Sequence, residues 1–216
     1  MSDPDSLLDP DFFIRPSAFP SSEDGLFKSQ EDWWNNACVN WGGGYRWTLY
    51  ASGYKDAADI LVQRIEERSS GQDTQVYPIL FLYRQYLELQ LKELIQMGRS
   101  VIGKEKGFPK DHHIGKLWAI CYPLLAEIAP GDSVEKLKEA GRLIDEFASI
   151  DPTSQAFRYP EDRDGKPSLP GLATINLRNV REVIEKIATM LSGAGCVVDE
   201  QLQFKHEMER EYRGEY

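Results

Sequence analysis

Residues 76–97, VYPILFLYRQYLELQLKELIQM, are the stretch that most limits what this chain can fold into. Leu80, Tyr83, Leu87, Leu91, Leu94 and Ile95 cover most of the circumference of a helix with about 3.6 residues per turn, so other helices must surround it. One row breaks the apolar pattern: Arg84, Glu88 and Lys92 at four-residue steps on the least apolar face. The row reads either as an ion-pair ladder along the helix, with Glu88 to Lys92 in the favourable direction, or as a partly buried group organising a site beside Tyr83, Tyr86 and Leu87.

The flanking sequence supplies helices to surround it. Trp47, Tyr50, Ala51, Tyr54, Ala57, Ala58, Leu61 and Ile65 recur at spacings of three and four, which predicts a helix over residues 45–68. Asp73 or Thr74 is a cap for the central helix, and Pro78 is expected in or near its first turn. His113 or Asp111 opens a helix over 114–129 with Leu117, Ile120, Cys121, Leu124, Leu125 and Ile128 inward, and Pro123 is expected to kink or divide it. Asp132 or Ser133 caps a helix over 133–150, with Val134, Leu137, Ala140, Leu143, Ile144 and Phe147 inward, and Asp151-Pro152 stops it. The last core helix runs over 174–191 with Ile175, Leu177, Val180, Val183, Ile184, Ile187, Ala188 and Leu191 apolar, and residues 192–195 close it. Residues 199–213 form one more polar helix, suited to packing against a second subunit. With no hairpin signal and no internal repeat, the class is all-α, an up-and-down helical bundle.

Outside this frame, residues 1–30 are an irregular acidic arm, whose Phe12, Phe13, Phe19 and Phe27 are expected to tack it onto the body. A short helix is expected over 30–41, capped by Ser29 and closed by Gly42, Gly43 and Gly44, which serve as a helix stop and hinge. No strand precedes this triplet and no Lys-Ser/Thr follows it, so it does not read as a phosphate loop. The domain plan is therefore an arm at 1–30, a bundle at 31–193 and a polar helical tail at 194–216.

Charge narrows the function. The formal net charge is -10 over 216 residues, with 8 acids and 2 bases in residues 1–32, 21 and 20 in 33–198, and 6 and 3 in 199–216. The acidity lies at the two ends, and the chain lacks the basic balance of a non-specific phosphate binder. Three widely spaced cysteines, Cys38, Cys121 and Cys196, read as reduced thiols rather than a disulfide framework or a zinc site. The start has acids and prolines where an export signal would be basic and then apolar, and no apolar run reaches the roughly 20 residues of a membrane helix. The expectation is a cytoplasmic protein with no membrane partner, no cofactor and no metal.

Two loops carry the remaining chemistry. Residues 99–113 hold Arg99, Lys104, Lys106, Lys110, His112 and His113, where paired imidazoles beside lysines can meet a phosphate or carry protons. Adjacent histidines lack the i, i+4 spacing of a helical zinc site. Residues 156–172, AFRYPEDRDGKPSLPGL, read as an ordered loop with two turn signals.

Three of these segments carry a resemblance. YRQYLELQLKELI at 83–95 resembles the tyrosine-arginine-x-x-x-leucine-glutamate-x-x-x-lysine-x-leucine helix of the HEPN-like superfamily. DHHIGKLW at 111–118 is similar to the histidine-rich start of that family's middle helix, and FRYPEDRDG at 157–165 resembles the turn before its last helix. The resemblance spans residues 45–191 and leaves the arm and tail outside.

The resemblance implies a helical bundle that is either a metal-independent RNase, in toxin–antitoxin or defence systems, or a non-catalytic binding protein, commonly a homodimer. Its RNases use an arginine followed four to six residues later by histidine. The arginine fork holds the scissile phosphate and the imidazole moves protons in the attack of the 2′-hydroxyl. Here the equivalent stretch is NLRNVREVIEKI, 176–187: Arg178-Asn179 matches, but Val183 stands where histidine is expected. The expected function is therefore a non-catalytic, dimeric binding or regulatory module for a protein or nucleotide-containing ligand, with ligand-binding residues Arg84, Glu88, His113, Arg158 and Tyr159. The alternative is an RNase whose site is rebuilt from His112 or His113 with Arg158, Tyr159 and Arg178. Arg84 and Glu88 are expected to tie down the loop around Arg158 and Tyr159.

Overall fold

An apolar helix needs partners on every side, and the computed structural model provides them. It describes residues 19–39, 46–105, 107–130 and 133–214. Five helices follow in order: α1 Arg46–Arg68, α2 Gln72–Val101, α3 Ile114–Ile128, α4 Ser133–Ile150 and α5 Leu177–Arg213. They form an all-α, up-and-down bundle with no strand among the described residues. α2 packs against α1, α3 and α5, while α4 packs against α3 and α5. None of the described helices is long and apolar enough to cross a membrane.

The core follows the apolar faces. Ile79, Tyr83, Leu87, Leu91, Leu94 and Ile95 of α2 are fully buried, joined by Ala51, Ala58 and Val62 of α1 and by Ile184, Ile187 and Leu191 of α5. Tyr50, expected inward, is exposed instead, and Val62 takes the place on the inner face. In α3, Trp118 is buried as well as the expected leucines, and it packs over α4 at Gly141, where no larger residue would fit.

Local expectations were overturned in five places, each for a physical reason. First, of the helix expected over 30–41, the described residues 30–39 form no α-helix. Trp33–Asn35 is a single 3₁₀ turn, because the Asn36 side chain takes both backbone groups of Gln30, accepting from its N–H at 3.0 Å and donating to its carbonyl at 2.7 Å. Second, α2 starts at Gln72 on a left-handed Gly71 at φ 91° with no side-chain cap, so neither Asp73 nor Thr74 caps it. Third, α2 runs past Gly98 to Val101, with Gly98 buried in α2 beside Leu124 and Ile128 of α3.

Fourth, Pro123 does not divide α3. The ring and Ala119, whose carbonyl loses its partner, are both exposed, so water can satisfy the freed group. Pro78, well inside α2, is accommodated in the same way beside exposed Thr74. Fifth, residues 192–195 do not end α5, which continues unbroken to Arg213. Leu191 and Val198 are buried on either side of the two glycines, and that burial outweighs the roughly 1 kcal/mol that each glycine costs a helix.

The described residues 19–39 belong to a unit distinct from the bundle. Within its described part Trp33 and Trp34 stack at 4.0 Å, and Phe19 and Phe27 are exposed. The expectations for Phe12, Phe13 and the glycines at 42–44 fall outside the described residues.

Candidate functional site

The charged row of α2 is the most deeply buried polar feature of the bundle. Arg84 is 0% exposed, Glu88 2% and Lys92 6%. Their ladder forms as the spacing predicts: Arg84 Nη1 lies 3.1 Å from Glu88 Oε2, and Lys92 Nζ lies 2.8 Å from Glu88 Oε1. The row is also far more than a ladder, because the loop before α3 and the end of α4 close over it.

Arg84 uses each nitrogen of its fork. Nε donates to the Asp151 carbonyl at 3.0 Å and Nη2 to the His112 carbonyl at 2.5 Å, with Nη1 on Glu88. Buried Asp151 terminates α4 and caps the next turn, its Oδ1 accepting from Gln155 N at 2.8 Å and Ala156 N at 3.0 Å. Its Oδ2 lies 3.3 Å from Arg84 Nε yet accepts no well-aligned hydrogen bond, because that N–H is aimed at the carbonyl. Two cations thus face two anions in the interior, which is the condition for burying charge at all. Burial pushes the Glu88 carboxyl up, but hydrogen bonds and charge from Lys92 and His112 outweigh it and hold the group below its ordinary 4.5.

Of the two histidines, His112 joins this cluster. Its Nδ1 is 2.8 Å from Glu88 Oε1 while the ring remains 69% exposed. An ionised Glu88 accepts from Nδ1–H, which places the Nε2 lone pair of a neutral ring on the solvent side. His113 is turned to a structural task instead: it is the N-cap of α3, its Nδ1 accepting from Lys116 N at 3.4 Å, and its own N–H is held by Asp111 Oδ1 at 2.9 Å.

The other candidates separate into two further groups. Arg158 donates from Nε to the Ser154 carbonyl at 2.5 Å and lies over the rings of Phe81 and Tyr159 at 5.5 and 5.6 Å, with Tyr159 itself 55% exposed. Arg84 reaches this loop only through Asp151. Arg178 is elsewhere, paired with Glu66 of α1 at 2.6 Å, and Arg181 joins the same carboxylate at 2.9 Å. The Arg178 hydrogen bond is the main reason the Glu66 carboxyl lies below its ordinary value.

Val183 lines an apolar cleft. With Val180, Ile184, Leu143, Phe147 and Phe157 it bounds a space of ≈ 390 Å³ between α4, α5 and the 157–175 loop, with Arg142, Glu146 and Asn179 as its polar members. The position where the resemblance expects a proton carrier therefore offers a methyl surface.

A second polar cluster joins α1, α2 and α5. Lys55 Nζ bridges Asp59 at 2.8 Å and Glu185 at 2.6 Å, and Tyr83 Oη donates to Asp59 Oδ1 at 2.7 Å. Burial, then Asp59, pushes the Tyr83 hydroxyl above its ordinary 10, and burial pushes Tyr86 up to about 12. Both therefore stay protonated, and Tyr83 is the donor to Asp59. Of this cluster only the Lys55–Asp59 spacing is visible in the sequence, as an i, i+4 pair. Asp151 was legible as a helix stop but not as a partner of Arg84.

Among the described residues no three or more His, Cys, Asp or Glu side chains are grouped to hold a metal. No family model, no curated protein and no solved structure matches this chain.

Proposed function

We propose that the chain is a non-catalytic, HEPN-like binding or regulatory module that works as a homodimer and engages a partner protein or a nucleotide-containing ligand, in the defence or toxin–antitoxin setting that its resemblance implies. One observation carries the reading: the position where an RNase of that family would place its proton carrier is Val183, which lines an apolar cleft. Arg178 is an exposed cation that shares the Glu66 carboxylate with Arg181. With an aliphatic side chain at 183, Arg178 has no proton carrier beside it on α5 for attack by a 2′-hydroxyl.

A second reading, a metal-independent RNase with a rebuilt site, is favoured by the Glu88–His112 pair alone. A carboxylate that fixes the imidazole tautomer and leaves Nε2 toward solvent is a competent acid–base unit. His112, rather than His113, would be its proton carrier.

Incubating the full chain with RNA in the presence of a chelator separates the two. Intact RNA at high protein concentration is the expected result. Cleavage that is lost in His112→Ala, kept in His113→Ala and accompanied by unchanged helicity would replace the first reading with the second. Light scattering tests the assembly, where twice the chain mass of 24.7 kDa is expected and a strictly monomeric species removes the dimer.

A further inference from the structure

Beyond its packing on the bundle, α5 carries an apolar stripe that no described residue covers. Its inner face is anchored by buried Leu191 and Val198 and by Lys205, whose Nζ donates to the Ser100 and Val101 carbonyls at 2.7 and 3.1 Å and so caps the end of α2. On another face Val197, Phe204, Met208 and Tyr212 are 36%, 60%, 50% and 95% exposed. They stand at i, i+7, i+11 and i+15, which at about 100° per residue places them in one arc. Phe204, Met208 and Tyr212, with Val101 and Gln201, line a groove of ≈ 810 Å³ whose charged members are Lys205, Glu209, Glu211 and Arg213.

One border of this stripe is acidic, and the other is mixed, with Lys205, Glu209 and Arg213. Glu200, Glu207 and Glu211 run along one edge, all exposed, and no described residue forms an ion pair with them. Glu209 lies by the other edge next to Lys205, whose ammonium is spent on the α2 carbonyls. Arg210 falls outside the arc, while Arg213 lines the groove on the side away from the glutamate row. A second copy laid antiparallel on the stripe would set the Glu200–Glu207–Glu211 row against its own image, and like charges at such distances oppose association.

We propose that this face of α5 is the docking surface for a basic amphipathic helix of a partner protein. Apolar side chains of that helix fill the groove beside Phe204, Met208 and Tyr212, and its flanking lysines or arginines meet the glutamate row. This is helix-in-groove recognition, with the charges setting register and partner choice. The inference concerns a surface away from Arg178 and His112, so the RNA assay and the assay below fail independently.

The test uses the full chain and a synthetic helix of about 18 residues made of leucine and lysine, long enough to hold its apolar face. A leucine and glutamate peptide of the same pattern is the control, and fluorescence anisotropy is the readout. The basic peptide is expected to bind and the acidic one not to bind. Glu200→Gln/Glu207→Gln/Glu211→Gln should weaken binding about tenfold and flatten its salt dependence. Phe204→Ser/Met208→Ser should abolish binding, with the thermal transition of the bundle unchanged because both residues are exposed. Equal binding of the two peptides overturns the proposal, as does undiminished binding by either variant. A dimer that protects Met208 from oxidation also overturns it, because a second copy then occupies the stripe.

Discussion

At Arg84 a single side chain links three separated parts of the chain: Glu88 one turn along α2, the His112 carbonyl before α3, and Asp151 at the end of α4. Arg84→Ala would leave Glu88 and Asp151 buried without their shared cation, a loss of about 3–5 kcal/mol in urea unfolding at neutral pH. Glu88 adds a pH signature. Its folded-state value lies below the ordinary 4.5, so its contribution is fully present above pH 4.5 and is lost as the pH falls through the lower folded value. Glu88→Gln is therefore expected to be less stable at pH 7 but to show a shallower acid limb below pH 4.5, as read from stability against pH. An unchanged acid limb would mean that Glu88 is not the group titrating there. The four-residue spacing of this row is plain in the sequence, whereas its burial is not, since the covering groups come from residues 112 and 151.

Helix ends and glycines show where local signals give way to packing. The periodicity over 133–150 yields α4 with its observed bounds, because an amphipathic face and a proline stop are local properties. The glycines of 192–195 carry the same local stop signal, yet α5 continues, since Val198 beyond them is buried against the bundle. Gly193 looks into open space and Gly141 looks into the Trp118 indole, so the same substitution has opposite signs. Gly193→Ala should stabilise the fold by about 0.5–1 kcal/mol through the unfolded chain and helix propensity. Gly141→Ala should destabilise it by about 1–3 kcal/mol by forcing Trp118 out of place. Melting temperatures of the two variants, one above and one below the parent, check both.

Across the whole molecule, burial is concentrated on α2 and falls away along α5. Amides within residues 83–95 should exchange slowest with deuterium, near the global unfolding limit, and those of residues 206–213 fastest, as read by mass spectrometry of peptide fragments. Slow exchange across 206–213 in the free protein would show that the exposed stripe is already covered. The all-α class, four of the five helices and the central place of residues 76–97 follow from the sequence by itself, because apolar periodicity is a local quantity that any bundle must obey. Tertiary structure alone decided that the Arg84 row is interior, that His112 and not His113 meets Glu88, that Arg178 pairs with Glu66, and that Val183 opens onto an apolar cleft. Each of these depends on which distant segment is laid against a given face, and that choice is made by the summed burial of the entire core rather than by any one stretch of chain.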